Sequence, residues 1–421
     1  EILDVTRGAS LSGEFYAAEG EYVRLTCGNF DYQNNCFKEN KAKDNLYYIG
    51  DFKPDFLMKE GDIITPLTEQ AIGLLGSTAI IPESGKYIQS QDVAKIVCKE
   101  HLLDKDFAFY LISSNLVKQQ LSAAAQQTKI RHTSPDKIKD CIVWIPELEE
   151  QKRIGKLLRT IDLKIELNRQ LNHNLEAMAK QLYDYWFVQF DFPDENGKPY
   201  KSSGGKMVWD KRLKREIPLL WKAKIVEEVA DVYNGATPST VNELNYGGDI
   251  VWITPKDLSD QKQKFVYQGE RNISQVGYDS CSTHLLPSNT ILMSSRAPIG
   301  LLAIAKTELC TNQGFKSFVS KSKNIATYLY YYLQYHITQI EQLGTGTTFK
   351  EVSREDILKF PMLKPSDNVL DLWEEIVSAL NDRQLEIQKE NENLIKQRDE
   401  LLPLLMNGQV SVNYDLAETG F

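Results

Sequence analysis

Two long stretches of the chain repeat apolar residues at alternating spacings of four and three, which is the pattern of a coiled-coil seam. In LEEQKRIGKLLRTIDLKIELNRQLNHNLEAMAKQLYDYWF the pattern predicts the core positions Ile154, Leu158, Ile161, Ile165, Leu175 and Leu182. In the second stretch it predicts Ile376, Leu380, Ile387, Leu394, Leu401 and Leu405. We therefore expect long helices in residues 147–189 and 366–408, each unbroken over roughly 35–40 residues and so about 50–60 Å long at a rise of about 1.5 Å per residue.

A long helix with one apolar stripe must bury that stripe against a partner, and the nearest partner is the other helix of the same chain. Polar residues inside the two stripes weaken such a pair but set its register. These residues are Asn168, Asn172, Gln384, Asn391 and Arg398. Two similar halves close most simply with pseudo-twofold symmetry, which makes the helices antiparallel and puts the globular domains at opposite ends.

The rest of the chain has short runs of β-branched and aromatic residues, such as IVWIT, TILMSS and FKSFV, separated by turn residues. They predict two mixed α/β globular domains, over residues 1–146 and 217–365. One helix is expected in each, over 107–124 and 326–343, where apolar residues recur at three and four. Residues 190–216 are rich in Lys and Arg and predict a linker with solvated charges rather than a nucleic-acid contact, and 409–421 form a C-terminal tail.

The two halves resemble each other in sequence. GDIVWITPKDLS, from Gly248, has the pattern of GEYVRLTCGNFD, from Gly20, about 228 residues earlier. At nearly the same offset, VADVYNG (229–235) matches ILDVTRG (2–8), and NTILMSSRAPIGLLAIA (289–305) matches GDIITPLTEQAIGLLGSTA (61–79). TTFKEVSREDILKFPMLKP matches TKIRHTSPDKIKDCIVWIP (128–146) at about 219 residues. Matches in one order indicate an internal duplication, so the predicted fold class is α+β, with two repeated domains separated by a pair of antiparallel helices.

Composition narrows the class of protein. The 421 residues are 42% hydrophobic and 25% charged, as in soluble globular proteins, and no apolar run is long enough to span a membrane, so we expect a cytoplasmic protein. The net charge of −9 makes nucleic-acid binding less expected, although a local basic face is compatible with it. The six cysteines show no metal-binding spacing and are expected to be buried thiols.

The sequence shows no catalytic motif. In GTGTTFK the glycines resemble a phosphate-binding loop, but Gly346 is followed by Thr347, Thr348 and Phe349 instead of Lys-Ser/Thr, and the matching QQTKIRH has no glycine. A loop approaching a polyanion and a plain tight turn remain open for this segment. There is no Asn/Asp-Pro-Pro-aromatic motif, and the five histidines are dispersed. We expect a non-catalytic protein with no catalytic residue, metal or cofactor of its own.

The order GATPST, GGDIVWITPKDLS, LLPSNTILMSSRAPIG, CTNQGFKSF, GTGTTFKEVSREDI and a long helix ending in LLPLLMNGQV resembles the DNA specificity (S) subunit of type I restriction-modification enzymes, the HsdS family. LEEQKRIGKLLRTIDLKIELNRQ and LYDYWFVQFDF resemble the central region of that family. The resemblance covers essentially the whole chain. It implies two target-recognition domains that each read half of a split, asymmetric site in double-stranded DNA. It further implies helices that dock two methyltransferase (M) subunits, restriction (R) subunits in the full complex, and S-adenosylmethionine and ATP held by the partner subunits.

Candidate DNA-binding residues follow from the same segments, as short polar or basic donors. In the second domain they are Thr237, Ser239, Lys256, Ser294, Ser295, Arg296, Asn312, Gln313, Lys316, Thr347, Thr348 and Lys350. Arg, Asn and Gln can pair with base edges, whereas Ser, Thr and Lys suit phosphates. Segments shared by family members that read different sequences are expected to contact phosphate or support the fold, which applies to SSRAPIG and TNQGF.

The first domain departs from the family pattern, because TPLTEQAIG stands where SSRAPIG would be. Its matching candidates are Arg7, Ser10, Arg24, Asn29, Thr68, Gln70, Lys129, Arg131 and His132. It also lacks a counterpart of IPLLWKAKIVE (217–227), so we expect a preceding segment that packs on the first domain, which an intact mass would test. The alternative function is a coiled-coil adaptor that joins protein partners without reading DNA.

Overall fold

A computed structural model describes residues 2–41, 44–69, 73–124, 131–296, 298–346 and 350–412. The chain divides into two compact units, a first unit of residues 1–167 with 391–421 and a second unit of residues 168–390. The division falls inside both long helices, so each unit contains part of each helix. The domains predicted from the sequence follow chain order, whereas the end of the second long helix belongs to the first unit.

The described residues form 24 strands and ten α-helices. The strands of the first unit are β1 (Leu3–Arg7), β2 (Tyr16–Ala17), β3 (Tyr22–Arg24), β4 (Phe30–Asp31), β5 (Cys36–Phe37), β6 (Tyr47–Tyr48), β7 (Ile63–Pro66), β8 (Thr68–Glu69), β9 (Ala79–Ile80), β10 (Tyr87–Ile88), β11 (Val93–Cys98) and β12 (Arg131–His132). The strands of the second unit are β13 (Met207–Asp210), β14 (Arg215–Pro218), β15 (Lys222–Ile225), β16 (Ala230–Asn234), β17 (Tyr246–Ile253), β18 (Phe265–Val266), β19 (Arg271–Ile273), β20 (Ile291–Ser294), β21 (Leu302–Ala305), β22 (Cys310–Thr311), β23 (Phe315–Ser320) and β24 (Pro361–Lys364). The helices are α1 (Lys105–Ser113), α2 (Asn115–Ala124), α3 (Pro135–Lys139), α4 (Leu148–Tyr183), α5 (Pro255–Gln261), α6 (Gln275–Asp279), α7 (Ala326–Tyr335), α8 (Ile337–Gln342), α9 (Arg354–Leu358) and α10 (Asp367–Met406).

The two units contain the same central sheet. In the first unit its order is β1-β11-β7-β9, and in the second it is β16-β23-β20-β21 with β18 added at the edge. Neighbours in the shared four-strand order are antiparallel in both units. A smaller sheet accompanies it, β10-β3-β6-β2 in the first unit and β19-β17-β22 in the second. The duplication read from the sequence is therefore present in the topology.

A helical segment follows the central sheet in each unit, as predicted, but each predicted helix is two helices. In the first unit the break falls at Ser114, whose backbone is extended (φ −65°, ψ 151°), between α1 and α2. In the second unit it falls at His336 (φ −98°, ψ 13°), between α7 and α8. Apolar periodicity continues across both breaks, so it cannot reveal where the backbone leaves the helical conformation.

The long helices α4 and α10 run antiparallel within each unit and bury most of the predicted seam. In the first unit Ile154, Leu158, Ile165 and Leu405 are buried, and Ile161, Leu394 and Leu401 are half-buried. In the second unit Ile387 is buried, and Leu175, Leu182 and Leu380 are half-buried.

Ile376 is the exception among the predicted core positions, because it is 36% exposed. The stripe at this end of α10 runs through Trp373 and Val377, which are both fully buried. Trp373 packs against Tyr183 and Phe187, with ring centroids 6.0 and 4.9 Å apart. Position 376 lies about 100° around the helix from position 377 and faces outward. The prediction of Ile376 as a core residue is therefore wrong by one position.

The segment predicted as a linker is packed into the second unit. After α4 the chain makes a π-helical turn, Asp184–Val188, and Phe190 and Phe192 are buried beside Trp221. Strands β13 and β14 then form an antiparallel hairpin. The basic residues suggested a solvated linker, but the apolar residues between them anchor the segment.

Two expectations from composition can be compared with the structure. The six cysteines were expected to be buried thiols, but only Cys310 is fully buried, and the other five are half-buried. In the described ranges, no helix is both long enough and apolar enough to cross a membrane.

Candidate nucleic-acid interface

Loops gather at one end of the central sheet in each unit. In the second unit they are residues 235–239, 294–296, 312–316, 345–346 and 350–352, which we name the second loop cluster. The antiparallel order β16-β23-β20 places the end of β16, the start of β23 and the end of β20 at this edge. In the first unit residues 7–10, 67–69, 89–92 and 131–133 occupy the matching edge of β1-β11-β7, and we name them the first loop cluster.

The same backbone hydrogen bonds hold both clusters. The amide of Ala9 donates to Gln89 O, and that of Ala236 donates to Thr311 O, both at 3.0 Å. A second pair of bonds runs from Leu67 N to Asp92 O at 2.8 Å and from Ser295 N to Gly314 O at 2.7 Å. A third pair runs from Thr133 N to Leu67 O at 2.9 Å and from Val352 N to Ser295 O at 3.0 Å. These bonds align Thr68 with Arg296 and His132 with Glu351.

A glycine lets two loops approach closely in each cluster. A Cβ atom on Gly8 would lie 2.3 Å from the carbonyl oxygen of Gln89, and one on Gly235 would lie 2.1 Å from that of Asn312. Real side chains do not tolerate such distances to a backbone atom. The Arg-Gly and Asn-Gly pairs that end β1 and β16 therefore serve loop packing.

Glu351 joins the two cations of the second loop cluster. Its carboxylate accepts from Arg296 Nε at 3.0 Å and from Lys316 Nζ at 3.2 Å. Lys316 is buried, with its side chain only 4% exposed, whereas the side chain of Arg296 is 47% exposed. Partial burial opposes ionisation, but the hydrogen bonds and charges of Lys316 and Arg296 hold the pKa of Glu351 below its usual value. The carboxylate thus holds Arg296 at the surface, and the same carboxylate compensates the positive charge of the buried Lys316.

Several predicted contacts of the second cluster are inside the fold. Ser294 is buried, with its hydroxyl donating to Pro298 O at 2.6 Å and accepting from Leu301 N at 2.8 Å. Ser295 is buried and accepts from Lys316 Nζ at 3.3 Å. Because these side chains are buried and bonded, the structure contradicts Ser294, Ser295 and Lys316 as direct DNA contacts.

Other candidates remain at the surface of the second cluster. Thr237 and Gln313 are exposed and hydrogen-bond to each other through Oγ1 and Oε1. Asn312 is half-buried, and its side-chain oxygen accepts from Gly314 N at 2.8 Å, which shapes the loop before β23. Ser239 and Lys350 are exposed as well.

Lys256 lies outside the second loop cluster and is paired with a carboxylate. It is exposed near the start of α5, and its ammonium group bonds Glu270 at 2.8 Å. Thr347 and Thr348, which the sequence also singles out, lie outside the described residues.

The first cluster has different side chains on the same backbone. Thr68 Oγ1 donates to Asp92 Oδ1 at 3.3 Å and lies 3.3 Å from His132 Nδ1. Next to this pair, Arg131 forms an ion pair with Glu69 at 3.5 Å, with the arginine side chain 38% exposed. Thr68 itself is buried, and His132 is exposed.

Arg7 and Ser10 are further exposed polar groups of the first cluster. Arg7 Nε donates to Gln91 O at 2.8 Å, which places the guanidinium beside the loop before β11. The predicted residues Gln70 and Lys129 lie outside the described residues.

Arg24 and Asn29 are structural residues, contrary to their prediction as DNA contacts. Arg24 is 8% exposed, stacks 3.8 Å from the ring centroid of Tyr16 and donates to Asn45 O. Asn29 is 1% exposed and bonds the backbone of Thr26 and Lys38. Residue type alone suggested a DNA contact, but neither group can reach a ligand from these positions.

The family model for the type I restriction modification DNA specificity domain matches residues 1–177 and 218–397, which is most of the chain. The chain belongs to the type I restriction-modification DNA specificity family. Each matched range of this specificity-family chain contains one loop cluster.

Curated relatives carry the same assignment. The chain is 35% identical over 197 residues to the type I restriction enzyme MjaIX specificity subunit of Methanocaldococcus jannaschii, covering 45% of this chain and 46% of that subunit, about half its length. It is 24% identical over 375 residues to the HindI specificity subunit of Haemophilus influenzae, covering 77% of this chain and 81% of that subunit. The fold is similar to the crystal structure of the S subunit from M. genitalium, with a TM-score of 0.60 and 15% identity over 96% of this chain and 94% of that one.

The acidic members of the two clusters were missed from the sequence. Glu351, Glu69 and Asp92 bond the candidate donors, yet a search for DNA contacts selects donors and passes over carboxylates. The alignment of KEVSRED with RHTSPDK places Glu351 opposite His132. It could have marked these two positions as partners of Arg296 and Thr68, which lie just beyond the ends of β20 and β7. Within the described part of the chain, no three His, Cys, Asp or Glu side chains gather as a metal site.

Proposed function

We propose that this chain is the sequence-specific DNA-binding subunit of a type I restriction-modification complex. Each unit reads one half of a bipartite, asymmetric site in double-stranded DNA through its loop cluster. The chain itself is non-catalytic, and the methyltransferase and restriction subunits carry the chemistry with S-adenosylmethionine and ATP.

The observation that carries this proposal is a shared backbone with exchanged side chains. Three equivalent hydrogen bonds hold both loop clusters, yet Arg296 and Glu351 of one stand where Thr68 and His132 stand in the other. Base recognition depends on donor and acceptor patterns, and a guanidinium suits guanine, whereas threonine and imidazole offer other patterns. Two readers with one scaffold and different surface groups would recognise two different half-sites.

The charge of the chain favours a shared interface with DNA. The net charge is −9, so attraction to phosphates needs local cations or cationic partner subunits. Arg296 and Arg131 supply local cations, each already oriented by a carboxylate. Much of the salt-dependent affinity would therefore come from the methyltransferase subunits.

The outer face of α4 supports docking of those subunits. Leu163 and Leu167 in the first unit are 53% and 60% exposed, and Leu171 and Met178 in the second unit are 37% and 55% exposed. Leu163 and Leu167 lie about 40° apart around α4 at 100° per residue, and Leu171 and Met178 lie about 20° apart, so each pair occupies one side of the helix within its own unit. Exposed apolar side chains in such a row mark a protein-interaction surface, and a methyltransferase subunit is the partner we assign to it.

Arg296 offers a direct test of the reading role. In the complex with the methyltransferase subunit, Arg296→Ala should weaken binding to the cognate DNA about tenfold or more, since a good bidentate contact contributes about 1–3 kcal/mol. Binding should be measured by fluorescence anisotropy at fixed salt. Lys321→Ala is the matched control, because this lysine lies just beyond the opposite end of β23, is 44% exposed and is also paired with a carboxylate.

The control should change DNA affinity less than twofold. Equal losses for Arg296→Ala and Lys321→Ala would show a general charge effect and would contradict base reading by the second loop cluster. Absence of DNA binding by an intact complex would favour the adaptor function instead.

A further inference from the structure

A buried charge pair joins the two long helices in the first unit. Arg398 of α10 donates to Asp162 of α4 at 2.9 Å, with side chains 9% and 17% exposed. Tyr110 of α1 donates to the same carboxylate at 2.5 Å, and the exposed Asp399 is a second partner of Arg398. The carboxylate is thus on the helix of the first repeat, and its cation comes from the helix of the second repeat.

The second unit has a corresponding cluster with the charges reversed. Lys264, just before β18, bonds Glu176 of α4 at 2.8 Å, with side chains 11% and 21% exposed. Asn381 and Gln384 of α10 also accept from Lys264, at 2.7 and 3.1 Å, and Tyr331 of α7 donates to Glu176 at 3.1 Å. Here the cation is on the globular part of the second repeat, and its carboxylate comes from the helix of the first repeat.

Equivalent positions in the two helices can be identified from their contacts. Asn391 Nδ2 donates to Ile165 O at 3.4 Å in the first unit, and Asn172 Nδ2 donates to Gln384 O at 3.3 Å in the second. These are the same bond if α10 follows α4 with an offset of 219 residues, which also aligns the fully buried Ile154 with Trp373. With this offset Glu176 corresponds to Ile395, Ala179 to Arg398 and Asp162 to Asn381.

Pairing the helices of two identical repeats would change the charges in both clusters. If a helix of the first repeat replaced the second-repeat helix in the first unit, Asp162 would lose Arg398, because alanine stands at that position. It would gain Glu176 across the helix pair, as Asn381 and Glu176 show by sharing Lys264. In the converse exchange, a second-repeat helix would replace the first-repeat helix in the second unit. Lys264 would then lose Glu176 and would lie near Arg398, which is three positions further along the helix. Both exchanges bring like charges together, and the exposed Lys180 and Asp399, which would accompany Glu176 and Arg398 on their own helices, offset only part of this repulsion.

We infer that these two clusters are a charge code that pairs each unit with the long helix of the other repeat and rejects the same repeat of a second copy of the chain. In each cluster the ion pair of Asp162 or Lys264 is made with the helix of the other repeat. The additional partners Asp399 of Arg398 and Lys180 of Glu176 are exposed and lie on the same helices as the residues they contact. The inference does not depend on DNA reading, although this pairing would keep the two different loop clusters together in one molecule. A buried ion pair commonly adds little net stability, so its clearest effect is on which partner fits.

The test places the first repeat's residues into α10 of the full chain. The double substitution Ile395→Glu with Arg398→Ala should lower the folding equilibrium constant by about a hundredfold or more relative to Ile395→Gln with Arg398→Ala. Adding Asp162→Lys to the variant that carries Ile395→Glu should recover most of the loss, since the new lysine meets the carboxylate introduced at position 395. Urea unfolding measures all three, and soluble yield serves if the variant with Ile395→Glu does not fold.

Two results would overturn the inference. Equal stability of the variants with Ile395→Glu and Ile395→Gln would mean that like charge at this place has no cost. Failure of Asp162→Lys to restore the variant with Ile395→Glu, while the variant with Ile395→Gln folds, would mean that the cost comes from burying the new carboxylate itself and not from its repulsion by Asp162. Both readouts are independent of DNA binding, so they separate this inference from the proposed function.

Discussion

At the scale of single residues, Lys264 is the buried ionisable group with the clearest consequence for stability. It lies among Glu176, Tyr331, Asn381 and Gln384. Burial lowers the pKa of Lys264 from 10.5 to about 8, although Glu176 opposes the shift. Between these values the unfolded chain binds the proton more tightly than the folded chain, so the free energy of unfolding rises with pH.

We expect Lys264 to contribute a rise of about 1–2 kcal/mol in the free energy of unfolding between about pH 7.5 and 9.5, the range below tyrosine ionisation in the unfolded chain. The thiols of Cys98 and Cys310, whose pKa values burial raises to about 11, contribute in the opposite direction over the same range, so the contribution of Lys264 is the difference between wild type and Lys264→Met. Lys264→Met should lose most of this rise, because it removes the titrating group. Urea unfolding at a series of pH values measures it. An identical slope in the variant would assign the rise to other groups, such as Lys306, whose pKa burial also lowers.

The candidate contacts show how far residue type can be interpreted. Arg296 and Arg131 are exposed groups at the loop clusters, where the sequence placed them. Arg24, Asn29 and Lys316 have the same chemical character but lie inside the fold. Burial depends on strand pairing between residues far apart in the chain, and no local pattern in the sequence records it.

At the scale of elements, the phase of α10 can be tested with two neighbouring positions. Trp373 is fully buried against Tyr183 and Phe187, so Trp373→Ala should lower the free energy of unfolding by about 3–5 kcal/mol. Ile376→Ala should change it by no more than about 0.5 kcal/mol, because the side chain is already exposed. Thermal or urea unfolding compares them, and a larger loss for Ile376→Ala would restore the phase expected from the sequence.

The long helices were the most predictable elements, and the reason is physical. Their apolar stripes extend over about ten turns at 3.6 residues per turn, so an error of one position at one end leaves the helix itself unmistakable. The shorter helices gave no comparable signal, since the breaks at Ser114 and His336 interrupt the backbone without interrupting the apolar pattern. The basic segment 190–216 was misread because its charges outnumber the few aromatic residues that anchor it.

At the scale of the whole chain, duplication explains both the likeness and the difference of the two units. One arrangement of backbone bonds supports two loop clusters, while the side chains and buried charges have diverged between the copies. The likeness of the two units was already visible when the two halves of the sequence were compared. The reversal of charge in the helix pair depends on which side chains meet across it, so only the structure could show it.

The most direct measurement is a map of modified adenines in a genome after co-expression of this chain with its methyltransferase subunit. We predict methylation within a split, asymmetric motif with a fixed gap, one block for each unit. A continuous or palindromic motif would contradict the assignment of one half-site to each unit. Absence of methylation, with the partner soluble and bound, would contradict DNA reading itself.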